Sequence, residues 1–219
     1  HGGSDGLAEI VIDLDIEHIS WYQLTVEPNT TFYSKPPERL PDDDRLVAIQ
    51  EEGTKILTEA GYQQYEVSAW SKPGAECRHN LNYWEFGDYI GIGAGAHGKI
   101  SDFNEQKIYR TRTRKQPRYW LDNSSELMAE RAPIAQDELS LEFFMNTLRL
   151  NRGVPRQYLF ERTGIVPEQI QSIIDMAVQK QLLAKDPDRY VATAMGQNYL
   201  NDLIELFMPS DNVILKTKA

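Results

Sequence analysis

IEHISWYQLTV, residues 16–26, carries the reading of the fold. Its β-branched and aromatic residues suit a pleated, half-buried surface, and Glu27-Pro28-Asn29 supplies turn residues that end a strand. Working outward, a loop with Pro36, Pro37 and Pro41 leads to Asp42, Asp43 and Asp44, which put negative charge where a helix N-terminus favours it. Leu46, Ile49, Ile56, Leu57 and Ala60 keep helical spacing until Gly61 stops it. YQQYEVSAW, residues 62–70, then reads as a second strand. Strand, helix, strand in that order predicts a parallel βαβ unit with a right-handed crossover. In the other direction LAEIVIDL, residues 7–14, fits the last turns of a helix, so the chain reads as starting mid-fold.

A chain of 219 residues has room for a sizeable core and for one domain or two. With 41% hydrophobic residues, 7 Phe, 11 Tyr and 4 Trp, wholesale disorder is excluded. No run approaches the roughly 18 apolar residues of a membrane-spanning helix. Cys77 is the one cysteine, so the chain forms no internal disulfide and cannot hold an iron–sulfur cluster alone. With no secretory leader in view, it points to a reducing cytoplasm. The net charge of −10 argues against duplex binding, because phosphates demand a basic face.

Residues 71–88 read as a loop and 89–98, YIGIGAGAHG, as a short strand running into a glycine-rich end. Lys99 to Phe103 and Gln106 to Thr113, split by Asn104-Glu105, predict a hairpin. The pattern changes near Ala132-Pro133. LSLEFFMNTLRL from Leu139 predicts a helix capped by Asp137 or Ser140 and closed by Gly153. Helices follow near Arg156 to Thr163 and Pro167 to Gln181, then extended pieces ending at Tyr190-Val191, then a last helix over Thr193 to Phe207. Three helices, a small β-wing and a closing helix describe a winged-helix-like module over residues 136–219.

Gly93-Ala94-Gly95-Ala96-His97-Gly98 satisfies G-x-G-x-x-G, but the strand-like KISDFNEQKIYR follows it, so a dinucleotide fingerprint is rejected. A glycine-rich strand end still permits close backbone approach to a ligand, and a tight bend without one is the plain alternative. The densest chemistry lies in Cys77 to Phe86. His79 stands there beside a thiol, Arg78, two amides and the pair Tyr83-Trp84. Those groups are what a haem or metallo-ligand pocket needs: an imidazole for iron, flat rings for the macrocycle and a cation near the propionates. The competing reading is a solvated loop histidine bonded to backbone. Arg110, Arg112 and Arg114 alternate with threonines and share one strand face, which suits carboxylates or phosphates, or simply a charged edge strand. In the winged-helix-like module, residues 136–219 hold 9 Lys and Arg against 11 Asp and Glu. Its candidate recognition helix, residues 168–180, holds no arginine and one lysine, so nucleic-acid recognition is starved of charge.

SWYQLTVEPNTTFYSKPP, HNLNYW, FGDYIGIGAGAHG and LSLEFFMNTLRL through TAMGQNYL, in that order, resemble the C-terminal portion of HemW-type radical S-adenosylmethionine haem chaperones, the oxygen-independent coproporphyrinogen III oxidase-like family. The resemblance covers nearly everything after about Asp15. It implies a partial (β/α) barrel that binds a [4Fe-4S] cluster and S-adenosylmethionine, followed by a small helical domain. The family's three-cysteine cluster loop has no counterpart here, so this chain by itself is expected to be inactive in radical chemistry. An H-N-x-x-Y-W motif is associated with haem in the chaperone branch, and His79, Asn80, Tyr83 and Trp84 match it, with His79 as the implied iron ligand. The family's S-adenosylmethionine contacts fall near Gln23 to Thr25 and Gly93 to His97, which marks Gln23, Thr25, Gly93, Ala94 and His97.

The resulting expectation is an α/β chain. Residues 1–135 form part of an incomplete radical S-adenosylmethionine barrel, since a full one takes about 250 residues, and residues 136–219 form the winged-helix-like domain. The expected function is cytoplasmic haem binding and delivery to haem-accepting proteins, with Arg78 or the arginine strand meeting propionates. The alternatives are oxygen-independent coproporphyrinogen III oxidation and a C-terminal nucleic-acid-binding module. A free sheet edge suggests a homodimer.

Overall fold

A computed structural model describes residues 12–38, 40–122 and 127–209. The chain divides into two compact units, His1–Cys77 and Arg78–Ala219. The junction expected near residue 135 falls inside the second unit.

In the first unit, β1 (His18–Ser20) is shorter than expected, and residues 21–27 lie outside regular structure. Helix α1 (Asp43–Glu59) begins as its sequence dictates: the Asp42 side chain accepts from the Arg45 N–H at 2.9 Å, with Asp43 and Asp44 in the first turn. The expected strand 62–70 is two strands, β2 (Gln63–Glu66) and β3 (Ala69–Ser71), joined by a turn at Val67-Ser68. β3 pairs antiparallel with both β1 and β2. β1 and β2 therefore run in the same direction but are not neighbours, which corrects the adjacent parallel pair. Val67-Ser68 lacks the glycine or asparagine that signals a tight hairpin, so the turn left no mark on the residue pattern. The core is small: Leu57, Tyr62 and Trp70, with Ile12, Ile19, Trp21 and Ala60 packed against it. Trp21 lies so close over Gly53 that a Cβ there would sit 1.4 Å from its ring, which accounts for a glycine inside α1. Of the helix expected over 7–14, Ile12 and Asp13 are helical, and residues 7–11 lie outside the described residues.

The second unit opens with α2 (Arg78–Trp84), so the stretch read as a loop contains a helix. Of the expected strand over 89–98, Tyr89 forms an isolated bridge to Lys99, Gly93 and Gly95 lie in a turn, and His97 and Gly98 begin the next strand. β4 (His97–Asp102) and β5 (Lys107–Thr113) form the expected hairpin. A third strand, β6 (Met128–Pro133), pairs with β5. The order β4-β5-β6 makes β5 the central strand, not an edge. Helix α3 (Leu139–Thr147) follows, with Glu138 in the cap position and no side-chain cap, so neither Asp137 nor Ser140 serves. It ends at Leu148, ahead of Gly153. Next come β7 (Val154–Pro155), α4 (Gln157–Thr163) and α5 (Gln171–Gln179). β8 (Arg189–Tyr190) pairs with β7 as the small wing. The last expected helix is broken into α6 (Ala194–Asn198) and α7 (Leu200–Glu205).

The core of this unit is a chain of aromatic contacts. Phe86 meets Phe143 at 5.7 Å between centroids, Phe143 meets Phe144 at 5.1 Å, and Phe144 stacks on Phe207 at 3.9 Å. Such pairs add specific geometry to their buried area. Phe86 directly follows the helix and its short tail, so this core seats α2.

Candidate functional site

The residues of α2 do not demand a helix, since His, Asn, Tyr and Trp all rank below the good helix formers. Tertiary contacts at its C-terminal end hold it instead. The Arg149 guanidinium lies 4.3 Å over the Trp84 ring, Glu85 pairs with Arg152 at 3.2 Å, and buried Phe86 packs on Phe143. The chain then turns sharply: the Gly87 N–H donates to the Asn82 carbonyl at 2.7 Å, and the Asn82 amide donates to the Asp88 carbonyl at 2.9 Å.

His79 and Tyr83 lie one turn apart, four residues in sequence, and so share a face. Their rings meet edge-on with centroids 4.8 Å apart at 66°. His79 is exposed, and its ring makes no hydrogen bond among the described residues. Arg78 is exposed beside it, while Asn80, Tyr83 and Trp84 are half-buried. The Trp84 indole N–H is buried without a hydrogen-bond partner among the described residues.

Beyond Tyr83 the contacts continue. Tyr83 and Tyr89 have centroids 4.1 Å apart. The Tyr89 hydroxyl accepts from Arg110 at 2.8 Å, and the other arm of Arg110 pairs with Glu142 of α3. Burial pushes the Tyr89 phenol upward against the opposing pull of Arg110. Of the arginines grouped by alternation, Arg110 holds Tyr89 and Glu142, Arg112 pairs with Glu130 at 3.0 Å, and Arg114 lies 4.9 Å over the Tyr119 ring.

A second polar cluster went unread in the sequence. Lys99 is 2% exposed, lies 4.2 Å over the Phe86 ring and pairs with Asp88 at 2.8 Å. Asp88 also accepts from the Ser101 N–H at 2.8 Å and the Ser101 hydroxyl at 2.9 Å. Burial works against the Asp88 charge, but Lys99 and Ser101 outweigh it and hold the carboxyl below its usual range. Burial likewise lowers Lys99, and there the pairing does not compensate. A lysine inside an alternating strand gives no sign of its burial; the Asp88 at a spacing of eleven residues is the only trace.

The residues expected to contact S-adenosylmethionine are divided between the units. Gln23 and Thr25 are exposed on the irregular stretch after β1, where Gln23 lines a cleft of about 280 Å³ with Trp21, Leu40 and Ile49. Gly93 and Ala94 lie in the glycine turn, with Gly93 at φ 105° and Gly95 at φ 73°, backbone that side chains resist. The turn is tied to the end of β5: Thr113 donates its hydroxyl to the Gly93 carbonyl at 2.6 Å and its N–H to the Ala96 carbonyl at 2.9 Å. His97 opens β4 opposite Arg112 and is exposed. Among the described residues, no group of three or more His, Cys, Asp or Glu is arranged to hold a bare metal ion. The donor set at α2 suits an iron already chelated by a macrocycle, which needs one imidazole from the protein.

No protein-family model matches the chain. Heme chaperone HemW of Escherichia coli strain K12 is 48% identical over 197 residues, which cover 90% of this chain and 51% of that protein. Heme chaperone HemW of Haemophilus influenzae is 45% identical over 200 residues, 91% of this chain and 51% of that one. Among solved structures, coproporphyrinogen III oxidase HemN of Escherichia coli, described as a radical SAM enzyme, matches with a TM-score of 0.68 at 14% identity, covering 94% of this chain and 52% of its own. That likeness establishes a shared α/β fold. The chain spans about half the length of the curated relatives it matches.

Proposed function

This chain belongs to the HemW-type haem chaperone family over the half of those proteins that it spans, and on that premise we propose that it binds haem through the His79 imidazole and passes it to haem-requiring proteins. The observation that carries the reading is the exposed His79 ring, free of hydrogen bonds among the described residues and set edge-on to Tyr83. Haem, when bound, would supply an iron that accepts an imidazole. His79 would provide that imidazole, Arg78 would offer a cation to the propionates, and Asn80 and Tyr83 would border the ligand. Trp84 fixes the helix that presents them.

In the full-length protein, Gln23, Thr25, Gly93, Ala94 and His97 are proposed to meet S-adenosylmethionine. The [4Fe-4S] cluster has no ligand set in this chain, whose one cysteine is Cys77. The oxidase alternative has fold likeness at 14% identity behind it, which carries no activity. Nucleic-acid binding finds no support in α5, since QSIIDMAVQ contains neither lysine nor arginine. No described helix is long and apolar enough to cross a membrane, and a cytoplasmic site of action is part of the proposal. So is self-association through the free edge of β1, for which light scattering on the eluting protein should show a dimer; a monomer at every concentration contradicts it.

Haem titrated into the chain should give a Soret band typical of imidazole ligation. In His79→Ala the band should shift and affinity should fall by about tenfold or more. Identical spectra and affinities in the two proteins would remove His79 from the role.

A further inference from the structure

We propose that Arg110, Tyr89 and Glu142 are positioning residues for the His79 imidazole, forming a brace that runs from the central strand of the sheet to the iron-binding ring. The inference rests on the haem reading above and deepens it. His79 sits on a helix of 7 residues, with its ring exposed. An exposed side chain on so short a helix would ordinarily sample several rotamers, and ligation would then have to freeze them. Here the ring has a neighbour with a neighbour of its own. Tyr83 is half-buried and flanks His79 at 4.8 Å, and Tyr89 closes against Tyr83 at 4.1 Å.

Tyr89 is itself fixed at both ends. Its backbone exchanges hydrogen bonds with Lys99 at 2.9 Å in each direction, and its hydroxyl accepts from Arg110 at 2.8 Å. Arg110 stands on β5, paired on one side with Lys99 of β4 and on the other with Ala132 of β6. Its remaining arm is held by the Glu142 carboxylate. Arginine suits this place because its planar fork serves two partners at once in a set geometry. The chain of contacts thus hands the rigidity of a central strand to a ring on a short helix. This is the arrangement by which partners outside the ligand sphere orient a metal-binding histidine, though here the contact to the ring is aromatic, not a hydrogen bond.

Two readouts test it on the whole chain. Without haem, ring-to-ring nuclear Overhauser contacts between His79 and Tyr83 should be strong in the wild type and weaken in Arg110→Gln. With haem, Arg110→Gln should bind about tenfold more weakly and give a broadened low-spin electron paramagnetic resonance signal, the mark of a ligand in several orientations. Tyr89→Phe keeps the ring and removes only the oxygen that Arg110 holds; it should show the same broadening at smaller size, and it keeps the test decisive should Arg110→Gln fail to fold. Arg131→Ala, whose guanidinium lies over Tyr109 on the same sheet, should match the wild type. Wild-type affinity and line width in both Arg110→Gln and Tyr89→Phe would overturn the brace. If His79→Ala leaves the haem spectrum unchanged, the ligand assignment fails instead, and the ring contacts of the haem-free protein remain to show which of the two was wrong.

Discussion

The two units hold themselves together in different ways. The first rests on Leu57, Tyr62 and Trp70 beneath α1, leaves Tyr22 and Leu24 exposed on irregular backbone, and leaves Phe32 and Tyr33 exposed on a four-residue helical turn, Thr31–Ser34. The second threads Phe86, Phe143, Phe144 and Phe207 into one continuous core and ties α2 to it. The difference teaches where preorganisation lies. Gln23 and Thr25 lie on a stretch outside regular structure, whereas α2, which carries His79, is mounted on the aromatic core of the second unit.

The comparison is broken or sharpened first by cutting into each core. Phe144 is completely buried with three aromatic neighbours, so Phe144→Ala should cost about 4 kcal/mol in denaturant unfolding. Leu57→Ala should cost nearer 2–3 kcal/mol, because a small core with partly exposed neighbours relaxes into the space. Equal losses would contradict the contrast between the units. Next, Asp88→Ala leaves the Lys99 ammonium buried without its carboxylate and should cost about 2 kcal/mol. The Asp88 carboxyl is held below its unfolded range, so its contribution is complete above that range and is lost as pH falls through the lowered value. The acid limb of a stability–pH curve should therefore be shallower in Asp88→Asn than in the wild type; superimposable limbs would exclude the pair as its source. The smallest effect belongs to the exposed Lys72–Asp15 pair, 2.5 Å apart at the surface of the first unit. Lys72→Ala should leave the thermal midpoint unchanged within error, and a drop of several degrees would show that the first unit leans on that contact.

What could be read from residue order follows the same physics. The β4–β5 hairpin was legible because alternation flanks a polar turn at Asn104-Glu105. The αL stop at Gly61 and the aspartate cap of α1 were legible because each satisfies one local backbone need. The central place of β5 was hidden, since its partner β6 reads MAERAP, largely exposed and without clean alternation. The set His79, Asn80, Tyr83 and Trp84 was visible as residue types, but its helix was not, because contacts with Arg149, Arg152 and Phe143 hold α2 where propensity does not. Tyr89 and Arg110 carried separate signals, an aromatic before glycines and an alternating arginine, and only the fold brings them to one side of Tyr83.

The most direct test of the whole account is nitrogen hyperfine coupling at the iron in the haem-loaded chain grown with ¹⁵N-histidine. The account predicts a histidine nitrogen coupled to iron in the wild type that vanishes in His79→Ala and is replaced by added imidazole in His79→Gly. Retention of the histidine coupling in His79→Ala would contradict it.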